Sequence, residues 1–141
     1  EALKLLQHNE VILFNRNNFI DWMRLAFRKD LVGIQEWVEG ISVIGREKQK
    51  AFLEFGLHIF REAMVLNHKG FDVLQLDGEE SKFVKNFAPF VHQGNLKAYM
   101  DLFNESIYHI ERNANPRILF LDLTITVMKL MKMKNPSLTQ A

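Results

Sequence analysis

Apolar residues recur along most of this chain at the three- and four-residue spacing of a helix, and many of them are aromatic. Phe19, Trp22, Met23, Ala26 and Phe27 fall at i, i+3, i+4, i+7 and i+8, one face of a helix. Phe52, Phe55, Gly56, Ile59, Phe60, Ala63 and Met64 repeat the pattern, while Glu54, His58, Arg61 and Glu62 face the other way. A chain written with this period builds helices, and helices with one apolar face must bury it against other helices. The pattern predicts an all-α fold, a single bundle of five to six helices.

Boundary signals divide the pattern. Glu1–His8 is short and helix-friendly, and the continuous apolar run Val11–Phe14 leaves open whether one helix or two precede Arg28-Lys29-Asp30. A further helix runs from about Leu31 to Ile44, with Ile34, Trp37, Val38 and Ile41 on its face and Gly45 as its stop. Asp77 and Glu80 form a capping-box-like start for a helix carrying Phe83, Phe87 and Phe90, which Pro89 ends or kinks. Asn95 caps the next helix, lined by Leu96, Tyr99, Met100, Phe103, Ile107 and Ile110. Asn115-Pro116, a cap followed by proline at the first helical position, restarts the chain.

The final segment carries two signals. Leu121, Leu123, Ile125 and Val127 alternate with Asp122, Thr124 and Thr126, which suits a strand. The apolar segment is too long for a typical strand, and no other segment offers a partner, so helix is the expectation. Apolar on nearly every side, that helix has to lie centrally or be covered by a partner. Residues 1–134 are expected to form the helical domain. Residues 135–141, after Lys134 and including Pro136, are expected to form a flexible C-terminal tail.

Composition narrows the function. The 141 residues suit one domain, and 12 Phe with 2 Trp supply a large apolar payload for it. Lys plus Arg total 18 against 17 Asp plus Glu, so there is no global pull towards nucleic acid or acidic lipid. With no cysteine, disulfides, thiolate metal sites and cysteine nucleophiles are excluded. No stretch approaches the ~20 apolar residues of a membrane span, and no signal peptide is visible. The absence of cysteine fits a reducing compartment, and a cytoplasmic protein is the expectation. The chain begins at Glu1 with a helical pattern already running, so it reads as a piece of a longer protein.

Motifs for chemistry are near misses. Gly40-Ile41-Ser42-Val43-Ile44-Gly45-Arg46-Glu47 has the glycine spacing of a phosphate loop. Arg46 stands in place of its lysine, and Glu47 would oppose phosphate. The glycines read as helix punctuation. No Glu has His three residues on, as a di-metal bundle requires. Glu54/His58 and Glu105/His109 read as surface pairs, and a metal held by Asp101, Glu105 and His109 is disfavoured. Nothing marks a serine nucleophile, and His8, His68 and His92 read as helix-end caps. Arg46, Lys48, Lys50 and Lys69 form a basic cluster broken by Glu47 and Glu54, without interleaved aromatics, so a solvated face is favoured over nucleic-acid contact. Lys129, Lys132 and Lys134 complement the dipole of the last helix. No cofactor or metal is expected.

The most distinctive stretch is Tyr108-His109-Ile110-Glu111-Arg112-Asn113-Ala114-Asn115-Pro116, a helix end, a polar turn and a new start in close succession. It reads as a tight helix–helix corner or as a contact point for a neighbouring subunit. Continued as Arg117-Ile118-Leu119-Phe120-Leu121-Asp122-Leu123, it resembles the C-terminal collar domain of bacterial DNA polymerase III clamp-loader subunits of the delta-prime type, particularly Bacteroidetes-like versions. Phe19–Phe27 and Gly45–Leu53 resemble the same family, so the likeness spans most of the chain in order.

The resemblance implies an oligomerisation domain that joins the C-terminal domains of other clamp-loader subunits. Such a collar holds the loader ring together while ATPase modules outside this chain load the sliding clamp. It implies no ATPase residue here, DNA met only indirectly through the assembly, no membrane and no small-molecule substrate. Arg112, Asn115, Arg117 and the neighbourhood of Trp37 are the expected partner-binding residues. Two other classes compete. A stand-alone helical adaptor or nucleic-acid-associated module would show salt-dependent DNA binding. A small helical enzyme would need a pocket of perturbed ionisable groups.

Overall fold

In the computed structural model of this protein, residues 2–69 and 78–134 are described. Six α-helices follow one another: α1 (Ala2–Arg28), α2 (Leu31–Ser42), α3 (Arg46–Lys69), α4 (Gly78–Phe87), α5 (Leu96–Glu111) and α6 (Pro116–Met131). A 3-10 turn, Ala88–Phe90, follows α4. Among the described residues there is no strand. The expected cap Asp77 and the expected tail 135–141 lie outside them.

Residues 2–28 form one helix rather than two, about 40 Å long at 1.5 Å per residue. Its end is a Schellman turn. Lys29 takes the left-handed conformation (φ 57°), and the Asp30 N–H reaches back 3.2 Å to the Leu25 carbonyl. Asp30 then caps α2, its Oδ1 accepting from the Gly33 N–H at 3.0 Å, so a two-residue link both closes α1 and opens α2. Helix α2 stops at Ser42, two residues short of the expected Ile44. Gly45, at φ 99°, makes the turn into α3 that a side chain would resist.

The core is a ring cluster. Trp22 and Trp37 stack in parallel, centroids 4.7 Å apart and planes 5° from each other, and Phe52, Phe103 and Phe120 close around Trp22. A buried indole N–H must find an acceptor. For Trp22 it is the Thr124 hydroxyl of α6, at 2.8 Å, which itself donates to the Phe120 carbonyl at 2.6 Å. The Trp37 indole donates to the Asn18 carbonyl. The two threonines of the strand-like alternation are absorbed by α6, a helix as expected: Thr124 and Thr126 each bond to the carbonyl four residues back.

Helices α3 and α5 meet most closely, at Gly56. A Cβ there would stand 2.5 Å from Phe103 Cε2 and 3.0 Å from Phe19 Cε1. Close by, Phe60 stacks on Tyr99 at 4.5 Å. Burial pushes the Tyr99 phenol well above its ordinary range, and its hydroxyl donates to the Phe90 carbonyl.

The connector between α4 and α5 is held by polar side chains. Asn95 stands at the start of α5 as expected but does not cap it. Fully buried, its Oδ1 accepts from the His92 N–H, and its Nδ2 donates to the carbonyls of Phe90 and of Leu130 in α6. Asn67, near the end of α3, donates to the carbonyls of Ala88 and Val91. His92 is no helix cap either. It is buried, Nδ1 accepting from the Gly94 N–H and Nε2 lying 3.0 Å from the Met133 carbonyl, which sets the proton on Nε2. His8 lies exposed inside α1, and only His68 sits in a last helical turn as expected.

Two glycines give opposite predictions. Gly56→Ala should destabilise by about 1–3 kcal/mol through overpacking, although alanine is the better helix former. Gly40→Ala, with open space around its Cβ, should stabilise α2 by up to about 1 kcal/mol. Urea denaturation of both variants checks the pair. Asn95→Asp, which turns a double donor into an acceptor facing two carbonyls, should cost about 3 kcal/mol or more in the same assay.

Candidate interaction surfaces

The expected partner-binding residues separate on folding. Trp37 belongs to the core: only 9% of it is exposed, its ring stacked on Trp22. Arg112, Asn115 and Arg117 gather around the α5–α6 corner. Helix α5 ends in a second Schellman turn, with Asn113 left-handed at φ 65° and the Ala114 N–H on the His109 carbonyl at 3.0 Å. Asn115 then caps α6, accepting from the Ile118 N–H at 3.1 Å, with Pro116 at the first helical position.

The corner is braced on both sides. Arg46 donates to the Glu111 carbonyl, and Lys50 pairs with the Glu111 carboxylate at 3.5 Å, so part of the expected basic cluster serves the C-terminal end of α5. Arg112 lies 3.4 Å over the Tyr108 ring and donates to the Tyr108 carbonyl. Arg117 pairs with Glu39 of α2 at 3.8 Å, both side chains open to water.

Helix α6 divides its apolar residues between two faces. Phe120, Leu123, Val127 and Leu130 are buried. Ile118, Leu121 and Ile125, at i, i+3 and i+7, remain exposed at 67%, 44% and 46%. This ridge stands between two grooves. One, of about 380 Å³, runs between α2 and α6 and is lined by Leu31, Val38, Leu121, Ile125 and Met128, with Glu39 and Arg117 also along it. The other, of about 550 Å³, lies between α5 and α6 and includes His109, Asn115, Ile118 and Asp122. Leu31, 72% exposed, extends the apolar surface onto α2. A helix ridge flanked by grooves is the shape that packs against another helix.

The near-miss phosphate loop lies across the end of α2 and the turn into α3, preceded by a helix. His58 faces Glu62 at 3.9 Å and Glu80 at 3.7 Å, partners other than the expected Glu54. Among the described residues no group of three or more His, Cys, Asp or Glu is placed to hold a metal, and no helix is long and apolar enough to cross a membrane. Lys129 lies in the last turn of α6 as expected. Lys132 follows it beside Lys29, whose competing ammonium holds Lys132 below the ordinary lysine range.

Sequence reasoning missed a third surface, a cleft of about 820 Å³ between α1 and α4, bordered by the 3-10 turn and Met131. Arg24 and Arg28 lie on its α1 side and Lys82 on its α4 side, over Phe83, Phe87 and Phe90. Its cations stand almost 60 residues apart in the chain, so no local window shows them together. The signal within reach was the four-residue spacing of Arg24 and Arg28 beside Phe27.

Comparison with protein-family profiles, curated proteins and solved structures finds no match for this chain. Asn115→Ala should cost about 1 kcal/mol in thermal or chemical unfolding, the usual worth of an N-cap. Arg112→Ala and Arg117→Ala should each shift stability by no more than about 1 kcal/mol, because both contacts are solvent-exposed. All three variants then remain folded probes of the corner.

Proposed function

We propose that this chain is an assembly domain, a helical collar module of the kind found in DNA polymerase III clamp-loader subunits. It packs against the C-terminal domains of other subunits and holds the loader ring together while the sliding clamp is placed on DNA. The observation that carries this reading is the exposed ridge Ile118–Leu121–Ile125 between two grooves. Fully burying an aliphatic side chain contributes about 1.5–3 kcal/mol, so three of them with Leu31 form the apolar centre of a specific interface.

Exposed apolar groups of this size, set in a row and framed by the Glu39–Arg117 pair and Asp122, have the composition of an interface centre with a polar rim. Of the corner residues, Asn115 and Arg117 line the two grooves beside the ridge. The resemblance in 108–123 runs through the same ridge, so the two lines of argument meet on one surface.

Light scattering coupled to size exclusion tests the reading. Mixing this chain with the C-terminal domains of the other clamp-loader subunits from the same organism should give a defined hetero-complex. The double variant Leu121→Asp/Ile125→Asp should weaken it at least tenfold, and Arg112→Ala or Arg117→Glu by less. A chain that stays monomeric with every such partner at about 100 μM would contradict the proposal.

A further inference from the structure

The cleft between α1 and α4 combines two features. The first is unpaired positive charge. Arg24, Arg28 and Lys82 face one carboxylate, Asp21, in the cleft lining, in a chain whose basic and acidic totals are 18 and 17. None of the three cations forms an ion pair among the described residues. Arg24 and Arg28 are one helical turn apart, about 6 Å along α1, and Lys82 looks across from α4. Lys29 and Lys132, crowded together beyond Arg28 and Met131, extend the positive field past that end.

The second feature is an accessible ring. Phe27 is 61% exposed at the lip of the cleft, edge-to-face with Phe90 at 5.3 Å. Phe83 and Phe87 stack on each other at 5.4 Å in the same lining. Asn17 and Asn86 add amide groups that can donate and accept beside them. Cations one turn apart beside an open aromatic face is the arrangement that binds a flexible polyanion carrying flat bases: the charges take phosphates and the ring takes a base.

We infer that the α1–α4 cleft is a binding site for a short stretch of single-stranded nucleic acid, held through phosphate contacts to Arg24, Arg28 and Lys82 and base stacking on Phe27. This departs from the expectation that DNA meets the chain only through an assembly. It also stands apart from the collar reading, since the cleft and the α6 ridge are lined by different residues and binding is read on the chain alone.

Fluorescence anisotropy with a labelled oligothymidylate of about 16 nucleotides tests it. At about 50 mM salt the chain should bind with a dissociation constant of about 1–100 μM. Three phosphate contacts on a single strand give a log–log salt slope near −2, about a twentyfold loss on going to about 200 mM. Arg24→Glu/Arg28→Glu should weaken binding at least tenfold and flatten the slope. Phe27→Ala should weaken it about fivefold or more and leave the slope unchanged. All three side chains are exposed, so circular dichroism and melting should match the parent chain. Lys48→Glu, outside the cleft, should change the affinity by no more than about a factor of two.

No binding at about 100 μM protein would overturn the inference. So would binding that survives the charge reversal, or loss in the Phe27 variant no greater than in Lys48→Glu. Displacement of the oligonucleotide by an equal concentration of polyglutamate would mark the cleft as a patch for acidic protein, and would overturn it as well.

Discussion

The buried indole of Trp22 sets the terms on which the rest of the bundle packs. Its N–H has one acceptor, the Thr124 hydroxyl, and that hydroxyl is committed in turn to the Phe120 carbonyl. A buried donor left without an acceptor costs about 1–3 kcal/mol, so a slide of α6 along α1 by one residue is penalised by more than lost packing. The parallel stack of Trp22 on Trp37 adds α2 to the same arrangement. The first two helices and the last are thereby held in one register by a single ring and its polar handle.

That register decides which side of α6 faces outward. With Phe120, Leu123, Val127 and Leu130 turned to the core, Ile118, Leu121 and Ile125 have no place inside. The polar network at the other end of α6 secures the same orientation. Asn95 binds the Leu130 carbonyl and His92 lies against the Met133 carbonyl, so the end of α6 is tied to the α4–α5 connector. Gly56 matters for the same reason: it lets α5 approach α3 and carries Phe103 up to Trp22. The exposed ridge is a consequence of core constraints, and the grooves beside it follow from how α2 and α5 flank α6.

The helices were legible wherever local chemistry marks an end. Asp30, Asn115-Pro116 and Gly45 act in the structure much as their residue types predict. The alternation over Leu121–Val127 pulled towards a strand because period alone does not reveal that threonine hydroxyls can return to their own helix. Asn95 was misjudged in role although its position was right, since its three partners come from segments that folding alone brings near. Trp37 carried two readings, the inner face of its helix and the neighbourhood of a partner contact. It lies on the apolar face that the helical period gave α2, and it fills the core because Trp22 lies there to stack on it. The α1–α4 cleft was beyond local reading for the reason that hid Asn95: its parts belong to distant helices.

The account rests on α6 as a two-faced helix, one face fixed by Trp22 and Asn95 and the other left exposed, where the proposed collar contact would form. Hydroxyl-radical footprinting of the chain, alone and with the C-terminal domains of clamp-loader subunits as the proposed partners, tests this most directly. Side chains react in proportion to their exposure, so the free protein should be labelled at Leu31, Ile118, Leu121 and Ile125 and spared at Phe120 and Leu123. On mixing, the first set should lose reactivity together while Phe27, on the far cleft lining, keeps its own. Unchanged labelling of the ridge in the presence of those partners, or protection centred elsewhere, would contradict the account.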